Sequence, residues 1–347
     1  MSDNSTATLK SMRLQSLSTE KGVIAALAMD QRKSLRRLMA EAVGLALDQI
    51  GDQQLREFKT AVSEVLTPYA SAILLDPDYG LEAARRRSNG SGLLLAYELD
   101  GYENPRPNRM LALTPRLSVQ RLMDMGADGV KILLHYAPND SLDVNDEKRT
   151  LIERIGAECT ALGMPFFFEP IVYDPISADS KPGRSVWEEQ ELESARRKPE
   201  LVIATIREFS KPQYHVDVLK VEFPVVARFV AGSRTNLGSS AYSMDEALNW
   251  FRAADQAAGR PYIYLSAGVP TPEFQESLRL AGEAKTRFSG VLCGRATWQG
   301  GIPAYMQAGK AGLYRWLEST GAENLNALNW LLECAVPWTT FSPGDGA

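Results

Sequence analysis

The chain has 347 residues, 44% of them hydrophobic and 23% charged, and 38 lysines and arginines against 43 acidic residues give a net charge of −5. This acidic balance, with no Lys/Arg cluster, excludes a sequence-independent grip on a phosphate backbone, so no nucleic-acid partner is expected. Cys159, Cys293 and Cys334 are odd in number, far apart and in no CxxC pair, which excludes a disulfide framework or zinc knuckle and leaves them as small core residues.

Short apolar, β-rich runs alternate with amphipathic segments along the chain. After an expected flexible tail at 1–10, the first run is VIAALAMD (23–30), followed by helical patterns at 32–42 and 53–66. SAILLDPD (71–78) and GLLLAYE (92–98) come next, then a helix at 116–126, GVKILLHY (129–136) and a helix at 145–163. PFFFEPIVY (165–173) leads to a helix at 199–210, VLKVEFP (218–224) to one at 243–259, and YIYLSAG (262–268) to one at 271–284. GVLCGRA (290–296) and a helix at 302–320 close the series, with a second expected tail at 339–347. Ser243 with Glu246 reads as a capping box, Thr271 before Pro272 as a helix start, and Gly163, Gly259 and Gly321 as helix stops.

Eight runs, most of them apolar throughout, predict parallel strands covered on both faces. No run is followed by G-x-G-x-x-G, and nearly every one carries a polar residue toward its C-terminal end, where barrel enzymes place their chemistry. The expected fold is therefore α/β, a (β/α)8 TIM barrel forming a single domain over 11–338 with extra helices, rather than an open doubly wound sheet. MSDNSTATLKSM lacks a signal-peptide core and no stretch approaches about 18 uninterrupted apolar residues, so a cytoplasmic protein with no membrane partner is expected. With His135 and His215 as the only histidines, no metal site is expected; His135 reads as a barrel-rim residue and His215 as a surface-loop residue.

The strand ends read, in order, Asp30, Asp76, Glu98, Lys131, Glu169, Lys220, Ser266 and Arg295. A charge inside an apolar strand is costly to desolvate unless paired, so lysines and carboxylates converging on one mouth suggest an ion-paired reactive centre. Lys220 in VDVLKVEFPV reads as a nucleophilic amine whose ammonium is disfavoured by burial, with a buried Lys220–Glu222 pair as the alternative. Lys131 either depresses the Lys220 pKa or binds a hydroxyl or phosphate. Glu169, after three phenylalanines, is expected in an apolar setting that raises its pKa for proton shuttling, or else as a static partner of one lysine. SAGV (266–269) and CGRA (293–296) bring small residues and Arg295 to the last two strand ends, where a phosphate commonly binds in barrels. In AMDQR, Asp30, Gln31 and Arg32 are placed to contact hydroxyls or a second anion, although Asp30 also suits a helix cap. Trp298, Trp316 and Trp330 are expected to pack the late helices against the barrel.

In these blocks, from GVIAALAMDQR through GLLLAYELDGY, GADGVKILLHY, PFFFEPIVYD and DVLKVEFPV to YIYLSAGV and GVLCGRATWQG, the chain resembles the tagatose 1,6-bisphosphate aldolase family of class I aldolases. The resemblance implies a (β/α)8 barrel and reversible cleavage of tagatose 1,6-bisphosphate to dihydroxyacetone phosphate and glyceraldehyde 3-phosphate, without metal or cofactor. It implies Lys220 as the Schiff-base lysine, Glu169 as the acid/base carboxylate and Lys131 as the supporting lysine. Asp30 and Gln31 match the substrate-contacting pair, and Ser266, Gly268, Gly294 and Arg295 match the phosphate-side blocks. The family's KVE-V-P element is KVEFPV here, and residues 177–200 match least well. A related group acting on 6-deoxy-6-sulfofructose 1-phosphate is similar around the DQR and lysine blocks; the substituent at carbon six separates the two. A metal-dependent lyase using Asp30, Glu98 and Glu169, and a non-catalytic sugar-phosphate sensor, are the rival readings. Apolar segments such as LNALNWLLECAVPW (325–338) suggest a homo-oligomer, dimer or tetramer, unless they cover the barrel.

Overall fold

A computed structural model describes residues 3–99, 107–174 and 187–341. Its strands are β1 (Ile24–Met29), β2 (Ala72–Leu75), β3 (Gly92–Ala96), β4 (Gly129–Tyr136), β5 (Phe166–Val172), β6 (Val218–Val221), β7 (Tyr262–Leu265) and β8 (Gly290–Cys293). They pair in parallel and in chain order, and β8 returns to β1, closing the barrel. Each expected run contains one strand. The apolar character on both faces has a direct cause: Ile24, Ala26, Ala28, Leu74, Leu94, Phe167, Val218, Ile263 and Leu292 fill the interior, while their neighbours face the helical shell.

The helices are α1 (Asp3–Ser16), α2 (Lys33–Val43), α3 (Asp52–Leu66), α4 (Leu81–Arg86), α5 (Val119–Asp124) and α6 (Leu142–Ala161) in the first half. The second half adds α7 (Trp187–Phe209), α8 (Met244–Ala257), α9 (Thr271–Glu283), α10 (Arg295–Trp298), α11 (Gly301–Trp316) and α12 (Ala322–Leu331). The Ser243 capping box forms: Ser243 Oγ accepts the Glu246 N–H at 3.3 Å, and the Ser243 N–H donates to Glu246 Oε2 at 2.8 Å.

Residues 3–10, expected as a tail, are the first turns of α1. Lys10 pairs with Asp217 at 3.0 Å, and Leu14 and Leu17 join the barrel-interior cluster. Gly92 accommodates this plug, since a Cβ there would lie 2.5 Å from the Ser16 carbonyl oxygen. The N-terminal end of the barrel is thus filled with apolar side chains, and the polar strand ends occupy the opposite mouth. Of the second tail expected at 339–347, Thr339 and Thr340 belong to a 3-10 turn, Trp338–Thr340, and residues 342–347 lie outside the described residues.

Helix α7 starts at Trp187 rather than near Pro199, which lies inside it. Proline at 199 has no N–H for the Ala195 carbonyl, and the Tyr242 hydroxyl donates to that oxygen instead. A tertiary contact therefore carries the helix through a residue that locally reads as a start. Of the poorly matching stretch 177–200, residues 177–186 lie outside the described residues. Gly321 does not stop a helix; a π turn, Leu317–Gly321, runs directly into α12. Trp298 is fully buried as expected, but Trp330 is 69% exposed and packs nothing against the barrel, and Cys334 is exposed rather than in the core. Among the described residues no helix is long and apolar enough to cross a membrane.

Candidate active site

Strand alternation carries the polar residues inward. Counting by twos from the interior residues Ala28, Ala96, Phe167 and Val218 reaches Asp30, Glu98, Glu169 and Lys220. Lys131 shares the register of Ala96 and Phe167. These five side chains line one cavity with Gln31, Ser266, Gly294 and Arg295.

Lys131, 1% exposed, stands at the centre. Its Nζ donates to Asp30 Oδ2 at 2.9 Å and to Glu98 Oε1 at 2.7 Å, and lies 2.8 Å from Glu169 Oε2. The second Glu169 oxygen, Oε1, is 2.8 Å from Lys220 Nζ, so one carboxylate bridges both lysines. Burial works against the Lys131 charge, yet the carboxyls of Asp30, Glu169 and Glu98 hold it well above the ordinary lysine range. Burial also opposes the Asp30 charge, but Lys131 and Lys220 hold this carboxyl below the usual carboxylate range. For Glu98 burial prevails over Lys131, and its pKa is raised.

Two readings are corrected by this arrangement. Lys220 does not pair with Glu222, which accepts the Val172 N–H at 2.8 Å and meets Lys198 at 3.1 Å. Nor is the Glu169 carboxyl in an apolar setting: Phe166 and Phe168 face outward, and Glu169 faces inward to two lysine nitrogens. The three oxygen donors considered for a metal surround the Lys131 ammonium.

At the β7 end, Ala267 and Gly268 both adopt left-handed backbone, with φ of 48° and 79°, in a turn closed by the Val269 N–H on the Ser266 carbonyl at 3.0 Å. Glycine at 268 is required for a second reason. A Cβ there would lie 2.4 Å from Cζ of Arg295, whose guanidinium rests against the turn. Thr271 Oγ1 donates to the Ala296 carbonyl at 2.6 Å, tying the β7 loop to the β8 loop. Gly294 approaches β1 so closely that a Cβ would meet the Ala28 oxygen at 2.8 Å, and Trp298 Nε1 donates to that same oxygen at 2.9 Å. Ser266, Gly268, Gly294 and Arg295 are thus brought together on the β1–β7–β8 side of the mouth.

The first strand end is held from behind. Lys59 on α3 donates to the carbonyls of Met29 at 2.6 Å and Gln31 at 2.8 Å, fixing the peptide on either side of Asp30. Its charge is matched by Asp76, 2.6 Å away, with both side chains fully buried. Asp76 is therefore absent from the mouth where its strand position suggested it; its Oδ1 accepts the N–H groups of Asp78 at 3.0 Å and Tyr79 at 2.8 Å. Asp30 caps no helix, because Arg32 occupies the N-cap of α2. Arg32 is buried and donates to Asp78 Oδ2 at 2.9 Å and to the Glu98 carbonyl at 2.8 Å.

His135, half-buried at the end of β4, is pushed down to about 4 by burial and by Arg109 and Lys148. His215 is an exposed loop residue, as expected. Sequence reasoning missed Ser34 and Arg37, which line the cavity from α2, and Lys59. Lys59 did leave a signal, since it falls on the apolar stripe of Leu55, Phe58, Val62 and Leu66.

The DeoC/LacD family aldolase model matches residues 24–300. A Listeria monocytogenes protein named tagatose 1,6-diphosphate aldolase is 46% identical over 328 residues, which cover 94% of this chain and 93% of that protein. Tagatose 1,6-diphosphate aldolase 2 of Enterococcus faecalis is 46% identical over 321 residues, 92% of each chain. Among solved structures, a fructose-bisphosphate aldolase from Plasmodium falciparum, in complex with TRAP and a small-molecule inhibitor, matches with a TM-score of 0.64 over 96% of each chain. At 12% identity that likeness shows the shared fold alone. The family match and these relatives make the chain a lyase of the aldolase class, built on a TIM barrel. The chain belongs to the DeoC/LacD family of aldolases.

Proposed function

We propose that the chain is a class I aldolase that reversibly cleaves tagatose 1,6-bisphosphate to dihydroxyacetone phosphate and glyceraldehyde 3-phosphate through a Schiff base on Lys220. The observation that carries this reading is the Lys220–Glu169–Lys131 bridge, an amine joined to a proton carrier and a fixed cation inside a barrel mouth. Identity of 46% over nearly the whole chain to proteins named for tagatose 1,6-diphosphate supports the substrate. Other ketohexose 1,6-bisphosphates are included in the reading, with phosphate rather than sulfonate at carbon six.

The uncharged Lys220 amine attacks the C2 ketone, Glu169 passes the proton it shares with Lys220 to the departing hydroxyl so that water leaves, and a positively charged iminium remains as an electron sink. Glu169 takes the C4-hydroxyl proton beside Lys131 while the C3–C4 bond breaks and its electrons pass into the iminium. The aldehyde departs, the resulting enamine takes that proton from Glu169 at C3, and water hydrolyses the iminium, its surplus proton returning to Glu169, to release dihydroxyacetone phosphate and free amine. The electrostatics favour this route. The Glu169 carboxyl lies 2.8 Å from the Lys220 nitrogen, placed to stabilise the positive charge of an iminium there, while Lys131 holds its other oxygen. No metal or cofactor enters the scheme.

Asp30 and Gln31 contact substrate hydroxyls in this reading. Ser266, Gly268, Gly294 and Arg295 take a phosphate and so hold C2 beside the amine, an orientation otherwise costing several kcal/mol of barrier, roughly. Gly268→Ala is expected to displace the Arg295 guanidinium and raise KM for phosphorylated substrates about tenfold or more, with strain of about 1–3 kcal/mol at the left-handed site. Steady-state kinetics on cleavage check it; an unchanged KM would remove Arg295 from the phosphate site.

The deciding experiment is borohydride reduction in the presence of dihydroxyacetone phosphate, followed by peptide mass mapping. A reduced adduct on the peptide carrying Lys220 is the expected result. An adduct on another lysine, or none together with chelator-sensitive cleavage, overturns the scheme. The reading extends to a cytoplasmic enzyme with one catalytic domain, assembled as a dimer or tetramer. Exposed Val43, Leu45 and Leu47, at and just beyond the end of α2, support self-association.

A further inference from the structure

Glu98 is the one carboxyl of the central cluster that the mechanism leaves without a task. It is 3% exposed and lines the cavity beside Asp30, Lys131, Glu169 and Lys220. Its Oε1 accepts from Lys131 at 2.7 Å, while Oε2 is buried with no hydrogen-bond partner among the described residues. A buried carboxyl oxygen without a donor is costly, so the atom is either protonated or completed by a ligand. The backbone gives the side chain little freedom. The Glu98 carbonyl accepts Arg32 Nη2 at 2.8 Å, and the residue forms an antiparallel bridge with Leu113.

We propose that Glu98 acts as a neutral carboxylic acid whose Oε2–H donates a hydrogen bond to the C4 oxygen of the sugar, the atom that is a hydroxyl before cleavage and the aldehyde oxygen after it. This inference rests on the Schiff-base reading of Lys220 and adds a residue to it. Lys131 joins Glu98 Oε1 to Glu169 Oε2, so both carboxyls converge on the region one lysine away from C2. Glu169 carries the proton that moves. Glu98 keeps its own and polarises the aldehyde oxygen in the condensation direction, where the enamine attacks the carbonyl carbon. The groups facing Glu98 are Lys131 and Arg32, which favour its charge, and Asp30, which opposes it. Burial, with Asp30 beside it, outweighs them and raises the Glu98 pKa.

The test compares Glu98→Gln, which keeps a donor and no charge, with Glu98→Ala, which removes the donor. In aldol condensation, Glu98→Ala should lower kcat/KM for the aldehyde by about 10²-fold, the usual loss of one preorganised donor. Glu98→Gln should lose less than about tenfold. Borohydride trapping of dihydroxyacetone phosphate on Lys220 should proceed in both. Wild-type activity should fall as pH rises through the Glu98 pKa, and Glu98→Gln should lack that limb. Difference infrared spectra of the wild type should contain a protonated-carboxyl band that Glu98→Gln removes. Equal losses in the two variants, a retained alkaline limb or an unaltered carboxyl region would each overturn the proposal. If Glu98→Ala does not fold, the pH profile and infrared comparison of Glu98→Gln still decide. Absence of a Lys220 adduct in the wild type would instead remove the Schiff-base reading beneath it.

Discussion

Replacing Lys220 with alanine is expected to abolish sugar cleavage, with turnover falling by more than about 10⁴-fold, because the other cavity amine, Lys131, is held as a cation by Asp30, Glu98 and Glu169 and cannot serve as the intramolecular nucleophile. The fold should survive. Val218, Leu219 and Val221 stay buried on either side, and the Glu169 carboxylate left behind still has Lys131 at 2.8 Å. Lys220→Arg separates charge from nucleophilicity: it preserves a cation opposite Glu169 yet cannot form an imine, so it should be equally inactive and fail to trap dihydroxyacetone phosphate. Near-normal cleavage by either variant would eliminate the covalent route.

Lys131→Met is expected to have the largest effect on stability. It removes the single cation shared by Asp30, Glu98 and Glu169, and breaking a buried pair from one side typically costs about 3–5 kcal/mol. Lys220 continues to serve Glu169, but Asp30 loses its hydrogen-bonded partner. In the wild type, the Asp30 pKa is lower folded than unfolded, so it contributes stability above the unfolded pKa that is lost as pH falls through the folded value. Without Lys131 the carboxyls rise instead, and the folded variant binds more protons than its unfolded chain. The stability gap to the wild type should therefore narrow as pH is lowered. Urea titrations at neutral and mildly acidic pH measure it; a gap that widens toward acid would contradict the assigned charge pattern.

The barrel was legible because its signals are local. Eight apolar runs, a period of two and the Ser243–Glu246 box depend on residues a few positions apart, and each recurs in the structure. The inward direction of Lys131, Glu169 and Lys220 follows from the same alternation, so the membership of the cluster was readable as well. Signals failed where a distant residue intervened. Pro199 reads locally as a helix start, and only the Tyr242 hydroxyl on the Ala195 carbonyl lets α7 run through it. Asp76 reads as a mouth residue until Lys59 draws it behind the site.

Strand number, the parity of the inward positions and the chemical types at the mouth were thus determined by the sequence itself, since steric alternation and burial act residue by residue. Which carboxyl meets which lysine was decided only by the tertiary structure. Asp30 and Lys131 are 101 positions apart, and their 2.9 Å contact exists because barrel closure brings β1 and β4 across one cavity. Charge pairing falls off over a few ångströms, so it depends on that closure and on nothing the neighbouring residues encode.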